Sequence, residues 1–508
     1  MNAALLVPAT IVIPLIAAAL SLLIRRVAVQ RAVASGVVAT LVAVSIALLV
    51  RVSDGTHLVV DVGGWPAPFG ITLVVDTFAA MLLTISSLVL LAVFLYALSQ
   101  GLPPDRESIF TTTYLMLAVG VNLAYVTGDL FNLFVAVEIT LAASYVLISL
   151  WTDARGVRNA MTYIVINLVA STLLIILVAI VYAATGTVNL AELSLRLDDV
   201  SPEFESAMRL LFLLVFGIKA GLFPLFFWLP DAYPTALTPV TAIFAGLLTK
   251  VGVYAIVRTQ TLLFPSDTPS NTLLVVAGLT MVVGVLGALA QNDIKRILSF
   301  HIVSQVGYMI MGVALFTVTG IAGTIFYMVH HIPVKTGLFL VGGLLEQRTG
   351  TSAIDRLGGM RRRAPVVAAL FAVPALSIAG IPPFSGFVAK LGVVRAGIDA
   401  DQHVIVVVSL AVSLLTLMSM LKIWTGVFWG EPAVTEAATE VATEAASAGE
   451  STGDADPGAP KLMTMSTGAV VLIVLAVGVA AGPIWDLATT AAEDLSDRST
   501  YVQAVLGR

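Results

Sequence analysis

The sequence predicts an all-α, polytopic membrane protein with about fourteen transmembrane helices. Hydrophobic residues make up 58% of the 508 residues and charged residues only 11%, whereas soluble domains carry about 25% charged residues. The apolar runs are long and continuous, as spanning helices of ~20 residues require, unlike the short alternating segments of a β-barrel. Because the charges concentrate between the apolar runs, the net charge of −5 does not indicate a nucleic-acid partner.

The apolar runs define fourteen predicted helices, with boundaries set to within several residues. They cover about 3–24, 33–51, 76–98, 108–127, 130–150, 161–185, 209–229, 238–260, 272–291, 297–317, 321–345, 365–397, 403–428 and 464–485. One set of alternate loops then holds about 14 Lys and Arg, beginning with Arg25, and the opposite set about 7, beginning with Arg51. The positive-inside rule places the richer set in the cytoplasm, which predicts both termini outside.

Two predicted helices contain prolines close to a lysine. The seventh has Lys219 followed by Pro224, and the twelfth has Pro382 and Pro383 followed by Lys390. Proline removes an intrahelical hydrogen bond, which is tolerable in a membrane only where protein or water satisfies the freed carbonyl. Broken helices at corresponding places in two halves indicate inverted repeats around a transport path. The order of lysine and proline differs, so the pattern suggests the repeat without proving it, and a simple kink is the alternative for each proline.

Six ionisable residues lie in otherwise apolar stretches. They are Glu138, Lys219, Lys250, Lys335, Lys390 and Lys422. Such a residue at the centre of a spanning helix costs about 2.5–3.5 kcal/mol and normally marks an ion or proton path. Counted at about 1.5 Å per residue, the first three lie near mid-membrane. They predict a relay in which protons pass through bridging water, and a static ion pair is the alternative. Lys422 lies near the cytoplasmic end of its span, where its side chain can reach the interface.

The eleventh predicted helix carries a second titratable group. His330 and His331 precede Lys335, and His331 shares a helix face with Lys335 at i,i+4. Histidine titrates near neutral pH and suits a proton relay. We predict no metal site here, because adjacent histidines point to different faces and no third ligand is apparent. His301 falls near the cytoplasmic surface, where it is either a proton entry point or a capped interfacial residue.

The composition also restricts the chemistry. Glu138 is the only carboxylate deep in a predicted span, whereas a hard cation such as sodium needs several oxygen ligands. The absence of cysteine excludes disulfides and thiolate-bound clusters. The sequence shows no nucleotide-binding loop, quinone signature or nucleophilic triad. It therefore predicts a proton-moving subunit of a transporter, with no catalytic residue, metal or other cofactor.

The stretch from Phe216 to Thr235 resembles the seventh-helix signature of proton-translocating, antiporter-like subunits. These subunits occur in respiratory complex I, membrane-bound hydrogenases and Mrp-type Na⁺/H⁺ antiporters. Supporting matches at 137–138, 246–254, 293–299 and 381–387 extend the resemblance over roughly residues 70–430. Within this family, the residues at 218–230 and 330–340 are most similar to those of the D-type branch of the Mrp antiporter subunits.

The resemblance implies two inverted five-helix repeats, taking helices 4–8 and 9–13, with helices 7 and 12 broken. The corresponding regions are 1–107 with helices 1–3, 108–260 with the first repeat, 272–428 with the second, and 464–508 with helix 14 and a tail. It also implies a Glu138/Lys219 pair, a central Lys250 and a terminal relay residue at Lys390. Between the second repeat and helix 14, residues 429–463 form an acidic, low-complexity segment, predicted to be a solvated cytoplasmic linker, with a partner contact as the alternative.

The implied function is that of one subunit of a hetero-oligomeric Na⁺/H⁺ antiporter in a bacterial cell membrane. Its partners would be other small hydrophobic subunits and the lipid bilayer, its transported ion would be H⁺, and the Na⁺ path would lie in, or be shared with, a partner. The alternative is a proton-pumping subunit of complex I or a membrane-bound hydrogenase, driven by electron transfer.

Overall fold

The computed structural model describes residues 3–150, 154–266, 268–430 and 460–507. Within these ranges the chain is almost entirely helical, and twelve helices are long and apolar enough to cross a membrane. The predicted all-α polytopic class is therefore confirmed. Most of the acidic segment predicted at 429–463 lies outside the described residues. The count of fourteen helices and the two inverted repeats stay predictions.

The helices begin and end as follows. The first part of the chain contains α1 (Ala3–Leu23), α2 (Val27–Val52), α3 (Thr77–Ala97), α4 (Pro104–Val126), α5 (Leu130–Ser149), α6 (Ala154–Thr185), α7 (Leu190–Arg196), α8 (Pro202–Ala220), α9 (Trp228–Ala232), α10 (Thr238–Ile243) and α11 (Thr249–Leu262). The second part contains α12 (Asn271–Leu289), α13 (Ile294–Ala314), α14 (Val318–Thr349), α15 (Met360–Arg363), α16 (Pro365–Ala379), α17 (Ser385–Asp399), α18 (His403–Ile423), α19 (Lys461–Val479), α20 (Ala481–Ser496) and α21 (Arg498–Leu506).

Several acidic residues near the span ends are helix caps. The side chains of Asp76, Asp129 and Asp293 accept hydrogen bonds from backbone N–H groups in the first turns of α3, α5 and α13. Each cap satisfies a donor that the helix itself leaves free and stabilises the helix by roughly 1 kcal/mol. These carboxylates therefore define helix starts at the span ends.

A short β-hairpin connects α2 to α3. Its strands β1 (Leu58–Asp61) and β2 (Thr72–Val75) pair antiparallel, with Leu58 opposite Val75. The hairpin was not predicted, because four-residue strands between long apolar helices give too few alternations to detect. The predicted helix 464–485 is also corrected, since the chain turns at Ala480 and continues as α20 and α21.

Helix α14 is the centre of the molecule. The most apolar 18-residue window of this 32-residue helix is completely buried. It packs against α13, α16, α17, α19 and α20, and against α3 and α10 from the first part of the chain. Its ionisable residues His330, His331 and Lys335 are consequently surrounded by protein and not by lipid.

The C-terminal helices are attached to the two ends of the β-hairpin by a cluster of charged residues. Nε2 of His57 lies 3.2 Å from Oδ2 of Asp494 in α20, and Nη2 of Arg258 lies 2.6 Å from Oδ2 of Asp76. Arg258 also lies over the ring of Tyr501 in α21, 5.5 Å from its centroid. His57, Asp76 and Asp494 have the donor types of a metal site, but Arg258 already supplies a positive charge to this cluster.

We expect the attachment of α20 to depend on pH. Burial lowers the pKa of His57, but the neighbouring Asp494 carboxylate and the charge of Asp76 outweigh it and leave that pKa raised. Burial also raises the pKa of Asp494, so the folded state binds more protons than the unfolded chain. The stabilisation from His57 is thus fully present below about pH 6.5 and lost as pH rises through the raised pKa. Amide hydrogen exchange of α20, corrected for intrinsic rates, should rise more steeply above about pH 6.5 in the wild type than in H57Q; an equal rise in both over that range would contradict this account.

Candidate functional site

Two helices are broken in the same way. Helix α8 ends at Gly221, with φ of 77°, and α16 ends at Gly380, with φ of 83°. This left-handed conformation strains any residue with a Cβ, so glycine is required at both positions. A proline follows three residues later in each case, Pro224 and Pro383. The two breaks therefore share one local design, although the surrounding sequences differ.

Each break places a lysine at the C-terminal end of a half-helix. Lys219 lies in the last turn of α8, and its Nζ donates to the carbonyl oxygen of Asn167 at 3.2 Å. Lys390 belongs to α17 but reaches back, and its Nζ donates to the carbonyl oxygen of Ala379, the last residue of α16, at 3.1 Å. The negative end of a helix dipole favours a cation at this position. The two lysines thus lie in similar places although their order relative to proline is reversed.

Glu138 and Lys219 approach the same region from different helices but do not form an ion pair within 4 Å. Oε1 of Glu138 has no hydrogen-bond partner in the described part of the chain. Lys219 lines a cavity of about 30 Å³, whose walls also include Val137 and Thr140 of α5, the helix of Glu138. A volume above about 10–15 Å³ can hold a water. The cavity therefore has room for a water beside Lys219.

Lys250 is fully buried next to a local irregularity in its helix. The segment Phe244–Leu248 is a single π-helical turn between α10 and α11. Nζ of Lys250 donates to the carbonyl oxygen of Ala245, in this turn, at 2.7 Å and lies 3.2 Å from Oγ1 of Thr249. π-turns occur frequently at functional sites because they free backbone groups from the regular ladder. Residue periodicity gives no signal for such a turn, so it could not be predicted from the sequence.

The titratable residues of α14 face two different neighbours. Nδ1 of His330 lies 2.8 Å from Oγ of Ser385, at the start of α17. Nζ of Lys335 donates to the carbonyl oxygen of Leu298 in α13 at 3.0 Å. Neither ring nitrogen of His331 has a hydrogen-bond partner within the described ranges. One helix therefore presents titratable groups towards both α13 and α17.

Three glycines allow the elements of this site to approach closely. A Cβ on Gly252 would lie 2.6 Å from the backbone nitrogen of Ala220, next to Lys219. A Cβ on Gly246 would lie 2.6 Å from Oγ1 of Thr336, next to Lys335. One on Gly386, in the helix of Lys390, would lie 3.1 Å from Cε1 of His330 in α14. The helices of Lys219, Lys250, Lys335 and Lys390 are therefore in close contact, one after the next.

Two further polar residues, Lys422 and His301, have surroundings that differ from those of the four lysines above. Nζ of Lys422 donates to the carbonyl oxygens of Leu289 and Gln291, at 2.9 and 2.7 Å, and so caps the end of α12. His301 was predicted near the cytoplasmic surface, but it is completely buried, and its Nε2 lies 2.9 Å from Oγ of Ser419. Its position near the cytoplasmic surface stays a prediction, because burial shows that neighbouring helices enclose the side chain and not how deep it lies in the membrane.

The neutral partners of the lysines were not predicted from the sequence. Ser171 lies 3.5 Å from Nζ of Lys219, and Ser413 accepts a hydrogen bond from Lys390 at 2.9 Å. Ser377 and Ser385 connect to His330, with their hydroxyls 3.2 Å apart. Serine is common in membrane helices, so no composition or spacing signal distinguishes these residues from others.

Comparisons with known proteins agree with this architecture. The family model described as NADH:quinone oxidoreductase/Mrp antiporter, transmembrane region, matches residues 127–416. The D subunit of the Na⁺/H⁺ antiporter of Alkalihalophilus pseudofirmus is 41% identical over 512 residues, which cover 100% of both chains. The protein of the same name from Bacillus subtilis is 41% identical over 379 residues, which cover 74% of this chain and 77% of that one.

Solved structures give the same result. A chain of the Mrp complex from Dietzia sp. superposes with a TM-score of 0.89 at 38% identity, covering 100% of both chains. A chain of the membrane-bound sulfane sulfur reductase, an archaeal respiratory membrane complex, superposes with a TM-score of 0.86 at 26% identity, covering 99% of both. The resemblance inferred from the sequence, including that to the D-type branch, is thereby confirmed. The chain belongs to the family of NADH:quinone oxidoreductase and Mrp antiporter transmembrane subunits.

Proposed function

We propose that this chain is the proton-conducting subunit of a hetero-oligomeric Na⁺/H⁺ antiporter. Full-length similarity to a protein named as the D subunit of a Na⁺/H⁺ antiporter, and to a chain of an Mrp complex, supports this assignment. The other subunits of the complex would be its partners, and the sodium path would lie in one of them or at a shared boundary. On this proposal the chain is a transporter subunit and not an enzyme.

The observation that best supports the proposal is that the buried lysines have neutral hydrogen-bond partners. None of Lys219, Lys250, Lys335 and Lys390 makes an ion pair with a described acidic side chain, and each donates to a carbonyl oxygen. A lysine held in a static ion pair would leave an unpaired buried carboxylate when it lost its proton. A lysine with neutral partners can lose and regain a proton without that penalty. The arrangement favours a relay over the static ion pairs that the sequence left open.

The proposed path runs from Glu138 and Lys219 through Lys250 to α14 and ends at Lys390. Proton transfer along it requires water between successive groups. Buried polar atoms normally have hydrogen-bond partners, and leaving one unmade costs about 1–3 kcal/mol. Oε1 of Glu138 and both ring nitrogens of His331 have no protein partner within the described residues. We infer that these positions contact water during transport.

The topology is part of the same proposal. The loops rich in arginine and lysine would face the cytoplasm, and so would the acidic linker at 429–463, while both termini would lie outside. The shared design of the two breaks, each a left-handed glycine followed by proline three residues on, supports the two five-helix repeats. The alternative that the sequence left open, a redox-driven pump of complex I type, would use the same proton path. It differs in its partners, which would include iron–sulfur proteins.

The test is sodium-driven proton movement in vesicles containing the assembled complex. E138Q keeps the shape and hydrogen-bonding capacity of the side chain but cannot titrate, so we expect its transport rate to fall by roughly 100-fold or more, the usual worth of a positioned acid–base group. E203Q, at an exposed position in the first turn of α8, should leave the rate unchanged. Wild-type rates in E138Q would exclude the relay. A complex that co-purifies with iron–sulfur proteins and moves protons without sodium would favour the redox alternative.

A further inference from the structure

A second site lies away from the proton path, where α18 ends. A pocket of about 470 Å³ is formed by Gly359, the arginines Arg361–Arg363 and the segment Phe428–Gly430. None of these residues contributes to the relay described above. The pocket combines three cationic side chains with two aromatic ones, and this combination requires an explanation of its own.

The backbone holds the two walls of the pocket together. The N–H of Gly359 donates to the carbonyl oxygen of Gly430 at 2.5 Å, and the N–H of Gly430 donates to the carbonyl oxygen of Thr425 at 2.7 Å. Gly359 has φ of 63°, a left-handed conformation that turns the chain into the short helix α15. The three arginines of α15 are thereby fixed beside the end of the π-helical segment Trp424–Trp429, which continues α18.

The arginines of the pocket have no counter-charge in the described structure. Arg361, Arg362 and Arg363 are all exposed, and no described acidic side chain forms an ion pair with any of them. The guanidinium group presents five N–H donors in a planar fork that matches phosphate oxygens bidentately. Three adjacent guanidinium groups therefore form a site for a phosphate-bearing anion with more than one negative charge or more than one phosphate.

The other wall places this site at the membrane interface. Trp424 and Phe428 pack with ring centroids 4.9 Å apart, and Trp429 continues the cluster at 6.1 Å from Trp424. The Trp429 side chain is 62% exposed although it is apolar. Tryptophan concentrates at the level of lipid headgroups, where one end of the ring is apolar and the other is wet. One wall of the pocket can therefore contact acyl chains, and the wall next to it can bind phosphate.

We propose that this pocket binds the headgroup of an anionic phospholipid, with Arg361–Arg363 on the phosphate and Trp429 against the glycerol and upper acyl region. Basic pockets beside transmembrane helices are suited to such headgroups, in particular to those with two phosphates. The lipid would fix α15 against the end of α18. This assignment requires only that the chain spans a membrane, so it does not depend on the proton relay.

The test compares lipid retention in two matched double variants of the assembled complex. R361Q/R362Q removes two charges from the pocket, and R25Q/R26Q removes two exposed arginines from the loop between α1 and α2, which does not line this pocket. Native mass spectrometry would follow added cardiolipin and phosphatidylcholine. We expect R361Q/R362Q to weaken cardiolipin binding roughly 30-fold, from about 1 kcal/mol for each arginine near an anionic surface. We expect R25Q/R26Q to leave one tightly held cardiolipin in place. Phosphatidylcholine binding should be low in all three proteins.

Three outcomes would overturn the proposal. Equal cardiolipin retention in the two variants would show that the pocket does not hold lipid. Displacement of cardiolipin by inorganic phosphate at equal concentration would show that the site takes the free anion. Increased cardiolipin binding in E436Q/E440Q/E444Q would show that the acidic segment after Gly430 is the natural occupant. Size-exclusion profiles and sodium-driven transport of each variant would establish that the complexes remain assembled.

Discussion

Replacement of Lys219 by alanine is expected to abolish sodium-driven proton movement while the complex still assembles. Lys219 lies in the last turn of α8 and lines a cavity between α5, α6 and α11. Its Nζ donates only to neutral groups of α6. Alanine removes the titratable group and leaves a larger, wetter cavity. It breaks no ion pair, so no buried carboxylate loses a direct partner. The rate should fall by at least about 100-fold, as measured by sodium-jump pH changes in vesicles.

The matched control for this experiment is K422A. Lys422 is also a lysine within an apolar helix, but its Nζ caps the carbonyl oxygens at the end of α12. We expect K422A to lower stability slightly and to keep most of the transport rate. If K219A transported normally, or if K422A lost as much activity as K219A, burial of a lysine in this family would not identify relay residues.

Replacement of Gly386 by alanine is expected to have the largest effect on stability. A Cβ there would overlap the carbonyl oxygen of Ser377 and lie 3.1 Å from Cε1 of His330. The first of these contacts is backbone, so α16 and α17 would have to separate and the Ser385–His330 contact would be lost. Overpacking of this kind costs about 3 kcal/mol or more. Thermal unfolding of the complex should shift downward, and transport should fall with it.

G36A provides the comparison for G386A. Gly36 lies within α2, and a Cβ there would have nothing within 4 Å. Alanine is the better helix former by about 1 kcal/mol, so G36A should leave the unfolding temperature unchanged or raise it slightly. A G386A complex as stable as G36A would mean that the second break can widen freely, and the close contact of α17 with α14 would lose its significance.

Much of this molecule could be predicted from the sequence because the bilayer makes buried polarity expensive. Glu138 and the buried lysines stand out in apolar runs, and prolines within those runs indicate where helices break. Contacts between residues of different helices could be predicted less well. In the sequence, the order of lysine and proline is reversed between Lys219 and Lys390, which argues against a repeat. The structure shows that the Lys390 side chain reaches back to Ala379, so that both lysines lie at half-helix ends.

Other features were hidden for different physical reasons. The π-turn at Phe244–Leu248 changes the helix by one residue, and its five residues are all apolar or glycine and all buried, so no periodicity marks it. The burial of His301 depends on how many helices pack around α13, and this packing cannot be predicted from a single sequence. Depth counting locates a residue along the membrane normal but not around the helix axis, so it could not show which groups meet.

The complete enclosure of α14 has a consequence for how the protein is made. This helix is the least apolar of the twelve long spans, and its most apolar window has no face outside the protein. Alone in lipid, each of its ionisable residues would cost about 2.5–3.5 kcal/mol, close to the whole benefit of inserting such a segment. We therefore expect α14 to leave the translocon poorly on its own and to enter the bilayer together with α13 and the helices that follow. On the proposed function, the helix that carries His330, His331 and Lys335 is then the one whose biogenesis depends most on its neighbours.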